Sequence, residues 1–269
     1  MKKNTIIWKN IGETPLQATE RFRSKEKLAI TIPLAYAGRL DPMAEGKLLM
    51  LIGDECKKIK SYIGFDKEYE FEILFGLSSD SGDVLGLIEE HPHPKTLTQE
   101  ILYKTTRRFL GKQTFPYPRF SSKTVYGKQL HKWTLENRLH EIEIPTRTST
   151  IYSINVIDIK TIQKSELEAT IIEKIGLLLP VLDPEKGLGT NFRREPILAR
   201  WKDILKNTQH NQYQVARFRA VVSSGTYIRT LSEKISESLG SSGLAYSITR
   251  TKIGRYTSFG PFKFWTKRF

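Results

Sequence analysis

Leu34-Ala35-Tyr36-Ala37-Gly38-Arg39-Leu40-Asp41-Pro42-Met43-Ala44-Glu45-Gly46 sets a single carboxylate, Asp41, in a turn punctuated by glycine and proline. The apolar run Leu48-Leu49-Met50-Leu51-Ile52-Gly53 follows at once and reads as a buried strand anchoring that turn. A loop carboxylate carried by a rigid strand is a common way to present a nucleophile or a general base. An Asp before a Pro is also an ordinary turn residue. The pattern by itself leaves both readings open.

The rest of the composition narrows the setting. With 269 residues the chain can bury a full core, and 39% apolar with 10% aromatic residues is ordinary for a globular protein. Lys and Arg number 43 against 29 Asp and Glu, a net charge of +14. Such a balance suits a polyanionic partner, nucleic acid before membrane, because no amphipathic basic anchor stands out. No apolar stretch approaches the roughly 20 residues of a membrane span, and the N-terminus lacks a signal-peptide pattern. Cys56 is the only cysteine, so neither an internal disulfide nor a thiolate metal cluster is available. A cytoplasmic setting is expected.

The string Gly-x-Leu-Asp-Pro-x-Ala-x-Gly-x-Leu from Gly38 to Leu48, followed by Gly53-Asp54-Glu55-Cys56-Lys57, resembles the signature of the tRNA pseudouridine-55 synthases, the TruB family. The resemblance implies that Asp41 is the essential catalytic residue. It also implies the pseudouridine-synthase fold: an α+β architecture with a mixed, mostly antiparallel sheet flanked by helices. Further matches extend it along the chain. Lys9, Gly12 and Thr14 match a loop that supports the active site, with Asn10 where proline is usual. Asp66-Lys67-Glu68-Tyr69 matches a motif whose tyrosine stacks on the target base; by alternation alone, with Phe71, Ile73 and Phe75, Tyr69 reads as core. The polar turn Ser78–Gly86 lacks the alternating ligands and distal Glu of a calcium loop, and the resemblance puts its second acid, Asp83, near Asp41.

Ser223-Ser224-Gly225-Thr226-Tyr227-Ile228-Arg229 is the second strong match, and its Arg229 is implied to pair with Asp41. The logic is physical as well. A guanidinium offers parallel donors and keeps its charge when desolvated, so it suits an acid that must stay ionised. Ile248 in Ile248–Gly254 is implied to line the uracil pocket. Tyr36, where the family has His, together with Arg39, Lys9, Tyr227 and Lys123 completes the implied substrate-binding set; Lys123 stands one place earlier than in the commonest form.

Elsewhere the pattern gives local expectations. Leu16–Lys27 reads as a basic helix, with Arg21, Arg23, Lys25 and Lys27 either contacting phosphate or simply solvated. Asp54–Phe65 reads as a helix with Cys56, Ile59 and Ile63 inward. His91 and His93 read as solvent-exposed, and Thr96–Gln99 has the form of a capping box. The aromatic and basic segment from Gln113 to Lys132 suits looped RNA. Between about 164 and 210 the chain exceeds a minimal family member, with amphipathic helices at Leu167–Leu182 and Glu195–Lys206 around a loop at Asp183–Gly189. One catalytic domain spanning 1–269 is expected, with that helical insertion and without a PUA domain.

The implied function is isomerisation of uridine 55 in the TΨC loop of tRNA to pseudouridine, on a base flipped out of the folded RNA. The reaction involves neither redox nor group transfer, so no cofactor and no metal are expected. The partner is tRNA through its TΨC arm, with no membrane, and the protein is expected to be a monomer. Two alternatives remain at this level. One is a tRNA-binding or folding factor without catalysis, which the basic charge fits equally well; the other is a pseudouridine synthase acting on another RNA.

Overall fold

Period-two alternation builds most of this chain, and the sheet that results fixes where Asp41 stands. The computed structural model describes residues 3–94, 97–180, 190–259 and 262–269. The first strand, β1 (Asn4–Lys9), leads into helix α1 (Pro15–Lys25). Thr14 caps this helix in a full capping box with Gln17, and Pro15 opens it. Strands β2 (Leu34–Ala37) and β3 (Glu45–Ile52) flank the Asp41 loop.

A 3-10 turn and a single helical turn, α2 (Lys60–Ile63), come next in place of the continuous helix expected over Asp54–Phe65. The inward residues are Cys56, Ile59 and Tyr62, three apart, which is the 3-10 period; Ile63 is exposed. The central strand β4 (Asp66–Phe75) follows, then the ribbon β5 (Leu77–Ser79) and β6 (Ile88–Glu90). Helix α3 (Gln99–Arg107) is capped by Thr98, whose hydroxyl accepts from the Ile101 amide, two residues later than the sequence suggested; Thr96 lies outside the described residues. Next come β7 (Gly111–Pro116), a small ribbon of β8 (Thr124–Val125) and β9 (Lys128–Gln129), and helix α4 (Leu130–Leu135).

The long strand β10 (Thr146–Gln163) leads to α5 (Lys164–Gly176) and α6 (Arg194–Asn207), and the chain returns through β11 (Gln212–Val222). Apolar residues four apart, Leu167, Ile171 and Ile175 on α5 and Ile197, Trp201 and Leu205 on α6, sink these two helices into the main core. The expected Leu167–Leu182 helix stops at Gly176, and the 183–189 loop lies outside the described residues. The elements that close the fold are α7 (Ile228–Glu237), β12 (Gly243–Phe259) and β13 (Phe262–Arg268).

Nine strands of the described residues form one sheet in the order β1-β3-β12-β4-β11-β10-β7, with β2 beside β3 and β13 beside β12. Every pairing in it is antiparallel except β3 with β12, where Glu45 and Gly46 lie opposite Thr249 and Arg250. Gly46 is obligatory there: its φ is +117°, and a Cβ would stand 2.4 Å from the Arg250 carbonyl oxygen. Central strand β4 buries Lys67, Tyr69, Phe71 and Ile73 on one face, while on the other Glu68 and Leu74 are buried and Glu70 and Glu72 stay partly exposed. Helix α7 packs Ile228, Leu231 and Ile235 into the core, each worth about 2–3 kcal/mol of burial.

His93 is not solvent-exposed as its loop suggested. Its ring stacks 3.9 Å from that of His210 and 5.3 Å from that of Tyr213, and burial, reinforced by His210, lowers its pKa. His91 is half-buried, with Nε2 2.8 Å from the Ser78 hydroxyl.

Candidate active site

The Asp41 loop is held by its backbone, and two buried cations do most of the holding. Lys9 is closed off from solvent, and its Nζ donates to the Ala44, Asn10 and Pro42 carbonyls at 2.5, 2.9 and 3.4 Å. The Gly12 amide donates to Pro42 O at 2.8 Å. Burial pulls the Lys9 pKa down to about 8, with the charge of Asp41 working against it. From the other side Arg250, also fully buried, donates to Lys47 O at 2.7 Å, Arg39 O at 3.2 Å and Gly38 O at 3.3 Å. Leu40, Met43 and Ala44 point into the core, while Asp41 between them points outward, 38% exposed.

Arg229 reaches Asp41 from the strand–turn–helix at 223–231. The turn is closed by the Ser223 amide on Thr150 O and the Thr150 amide on Ser223 Oγ, at 2.8 and 2.7 Å. Arg229 is then the second residue of α7. Its Nε donates to Asp41 Oδ2 at 2.8 Å, Nη1 to Ser81 O at 2.5 Å and Nη2 to Phe120 O at 3.0 Å. Its side chain is 4% exposed. Burial works to lower its pKa, and the Asp41 and Asp83 carboxylates more than reverse this, so the charge is secure.

Asp83 Oδ2 lies 3.7 Å from Arg229 Nε, while Oδ1 accepts from Ser81 Oγ at 2.7 Å and the Leu85 amide at 2.9 Å. Burial raises the Asp83 pKa, opposed by Arg229 and Ser81. Beneath them Glu233 is pushed up to about 6 by burial, with Arg229 opposing.

Asp41, Ser81, Asp83 and Arg229 line a small cleft open to solvent, whose walls also include Pro42, Leu85, Phe120, Phe192 and Arg193. The structure therefore brings Asp41, Asp83 and Arg229 together. Tyr227 stands beside them and lines a neighbouring hollow with Arg147 and Thr230. Burial, with the Asp41 charge, raises its pKa. Tyr117 meets Tyr227 edge-on at 5.6 Å, and Lys123 Nζ lies 5.5 Å from the Tyr117 ring, which links Lys123 to this edge of the site. Arg39 is exposed next to Asp41.

Other expected contacts sit elsewhere. Tyr69 and Ile248 are buried on adjacent strands, 7% and 4% exposed, in the cluster that holds Leu40 and Met43, and do not line the cleft. Tyr36 packs against Ala18, Leu48 and Met50 under α1. Lys9 has no solvent-facing surface, so it supports the loop and does not reach a substrate. Arg21 and Arg23, candidates for phosphate, are engaged by Glu13 and by Glu20 with two carbonyls respectively.

Sequence reasoning missed Arg250, although Ile248 and Arg250 share a face by the strand period of two, which was the available signal. It also missed Phe192 and Arg193, for which no signal exists. These two adjacent residues both adopt left-handed backbone, φ +55° and +57°, which costs on the order of 1–3 kcal/mol each for non-glycine residues. No group of three or more His, Cys, Asp or Glu among the described residues is arranged to hold a metal ion. No helix among them is long and apolar enough to cross a membrane.

Comparison with known proteins identifies a family. The profile of the TruB family pseudouridylate synthase (N terminal domain) matches residues 25–174. The chain is 28% identical to tRNA pseudouridine synthase B of Chloroherpeton thalassium, over 94% of this chain and 83% of that protein. It is 29% identical to tRNA pseudouridine synthase 4 of Saccharomyces cerevisiae, over 90% and 68%. A chain of a solved Cbf5-Nop10-Gar1 complex superimposes with a TM-score of 0.54 at 16% identity, over 93% of this chain and 48% of that one, a likeness of fold.

Proposed function

Because this chain belongs to the TruB family of pseudouridylate synthases, we propose that it isomerises uridine 55 in the TΨC loop of tRNA to pseudouridine, with Asp41 as the catalytic carboxylate. The supporting observation is the asymmetry of the Asp41–Arg229 pair. The arginine is enclosed and its three nitrogens are committed, whereas the carboxylate it orients is open to the cleft.

In this reading the target nucleotide is flipped out of the RNA and enters that cleft. Asp41 acts as nucleophile or base while the bond between C1′ and N1 breaks. Uracil turns and rebonds through C5, which gives up its proton to solvent as N1 takes one. Arg229 fixes the carboxylate, and Asp83 adds a second negative charge beside the same Nε. Tyr227 and Arg39 flank the entrance, and Lys123 supplies a cation along the Tyr117 edge. Tyr69 and Ile248 lie behind the loop and reach the base only if the loop and its cluster open.

Tritium at uracil C5 of tRNA transcripts reads the reaction directly. Wild type releases it from the TΨC-loop uridine, and Asp41→Asn releases it at least about 10³-fold more slowly. Release that survives mutation of that uridine would move the target to another site. Binding of tRNA without release from any transcript would favour an RNA-folding factor, a reading the net charge of +14 also accommodates.

A further inference from the structure

The cleft has a wall that comes from the segment between α5 and α6, and that wall has no part in the mechanism so far. Phe192 is 7% exposed, and Arg193, directly after it, is 16% exposed at its side chain. Arg193 is fixed three ways. Nη1 donates to Asp80 Oδ2 at 2.6 Å, Nη2 to Asp80 Oδ1 at 3.2 Å, and the guanidinium lies 4.2 Å over the Phe120 ring. Asp80 is held in turn by the Leu87 amide at 2.9 Å. Helix α6 is pinned by Trp201 Nε1 on Val84 O at 3.0 Å and Arg200 Nε on Ile88 O at 2.8 Å. Phe120 therefore joins the two arginines of the cleft: Arg229 binds its carbonyl, and Arg193 stacks on its ring.

A flipped nucleotide brings a phosphodiester on each side of its ribose. Among the described residues lining the cleft, the cations are Arg229 and Arg193. Arg229 has no surface to offer. Among the described residues Arg193 spends one donor each of Nη1 and Nη2 on Asp80, and its planar fork, held by Asp80 and stacked on Phe120, suits a phosphate oxygen.

We infer that Arg193 is a substrate-binding residue contributed by the 164–210 insertion, which holds a backbone phosphate of the nucleotide presented to Asp41. The inference rests on the Asp41 cleft being the uridine site. Phe192 closes the apolar side of the same wall.

The test uses the full chain with a tRNA transcript and two readouts, RNA binding as a function of salt and single-turnover tritium release. Arg193→Gln is expected to raise Kd and KM roughly 10- to 100-fold. It should flatten the slope of log K against log salt by about 0.7–0.9, one phosphate contact, and change the rate at saturating RNA by less than about threefold. Asp80→Asn removes the partner's charge but leaves the guanidinium, so it should keep the wild-type salt slope and lose far less binding than Arg193→Gln. If Arg193 matters only as the partner of Asp80, the two variants lose binding alike, and the inference is overturned. An unchanged salt slope in Arg193→Gln overturns it equally.

Should Arg193→Gln melt well below wild type, the neutral pair Asp80→Asn with Arg193→Gln removes the charge without stranding a carboxylate and is read the same way. If wild type releases no tritium, the uridine-site reading fails, while the salt slope still decides whether Arg193 meets a phosphate.

Discussion

Two acid–arginine pairs border one cleft: the first turns its open carboxylate to the lining, and the second contributes its arginine alone. In Asp41–Arg229 the arginine is enclosed at 4% exposure and the carboxylate is open at 38%. In Asp80–Arg193 both members are partly exposed, at 26% and 16%, and the arginine lines the cleft. The first pair stands on the sheet and on a helix buried in the core, the second on a ribbon loop and the entry to α6. An ion pair at a site presents whichever partner has hydrogen-bonding capacity left over. The first pair thus offers an anion and the second a cation.

The difference in enclosure should show most strongly on removing Arg229. Arg229→Met strands Asp83, 6% exposed at its side chain, beside a neutral side chain. Unfolding should lose about 3–5 kcal/mol, measured by urea denaturation, and tritium release should fall by about 10³-fold or more. A variant that keeps wild-type stability would mean that Asp83 is no burden without its guanidinium.

The scaffold under the first pair also titrates. The folded-state pKa of Lys9, about 8, lies below its ordinary 10.5. Between those values the unfolded chain holds a proton that the folded chain has released, so stability rises with pH across that window. The stability difference between wild type and Lys9→Met should therefore grow by up to about 3 kcal/mol from pH 8 to 10.5. A difference that stays flat would show that the buried amine titrates normally.

The smallest effect belongs to the second pair. Asp80→Asn should cost about 1 kcal/mol or less, since a half-exposed pair gains little over its hydration. A loss as large as that of Arg229→Met would erase the distinction between the two.

Sequence exposed the first pair and hid the second for physical reasons. Asp41 and Arg229 each sit in a short string whose glycines and prolines are dictated by backbone geometry, so the pattern survives inspection. Phe192 and Arg193 take left-handed backbone without glycine, and only the packing of α5 and α6 into the core puts them in the cleft. The alternation that revealed β4 marked its polar face as open, yet Glu68 is buried there, engaged by Thr251 and Lys252. The helix expected over Asp54–Phe65 failed because its inward residues recur every three positions.

The Asp41 loop has consequences for how the chain comes off the ribosome. Its two guanidinium partners lie 188 residues away for the side-chain contact of Arg229 with Asp41 and 211 for the contact of Arg250 with the Arg39 carbonyl. A nascent chain that has emerged through β10 already displays the acid and much of the basic surface, yet nothing orients that acid. Competence at the site then arrives late in synthesis, after the sheet has closed around β12. On the proposed reading, an incomplete chain carries the acid without the arginine that orients it.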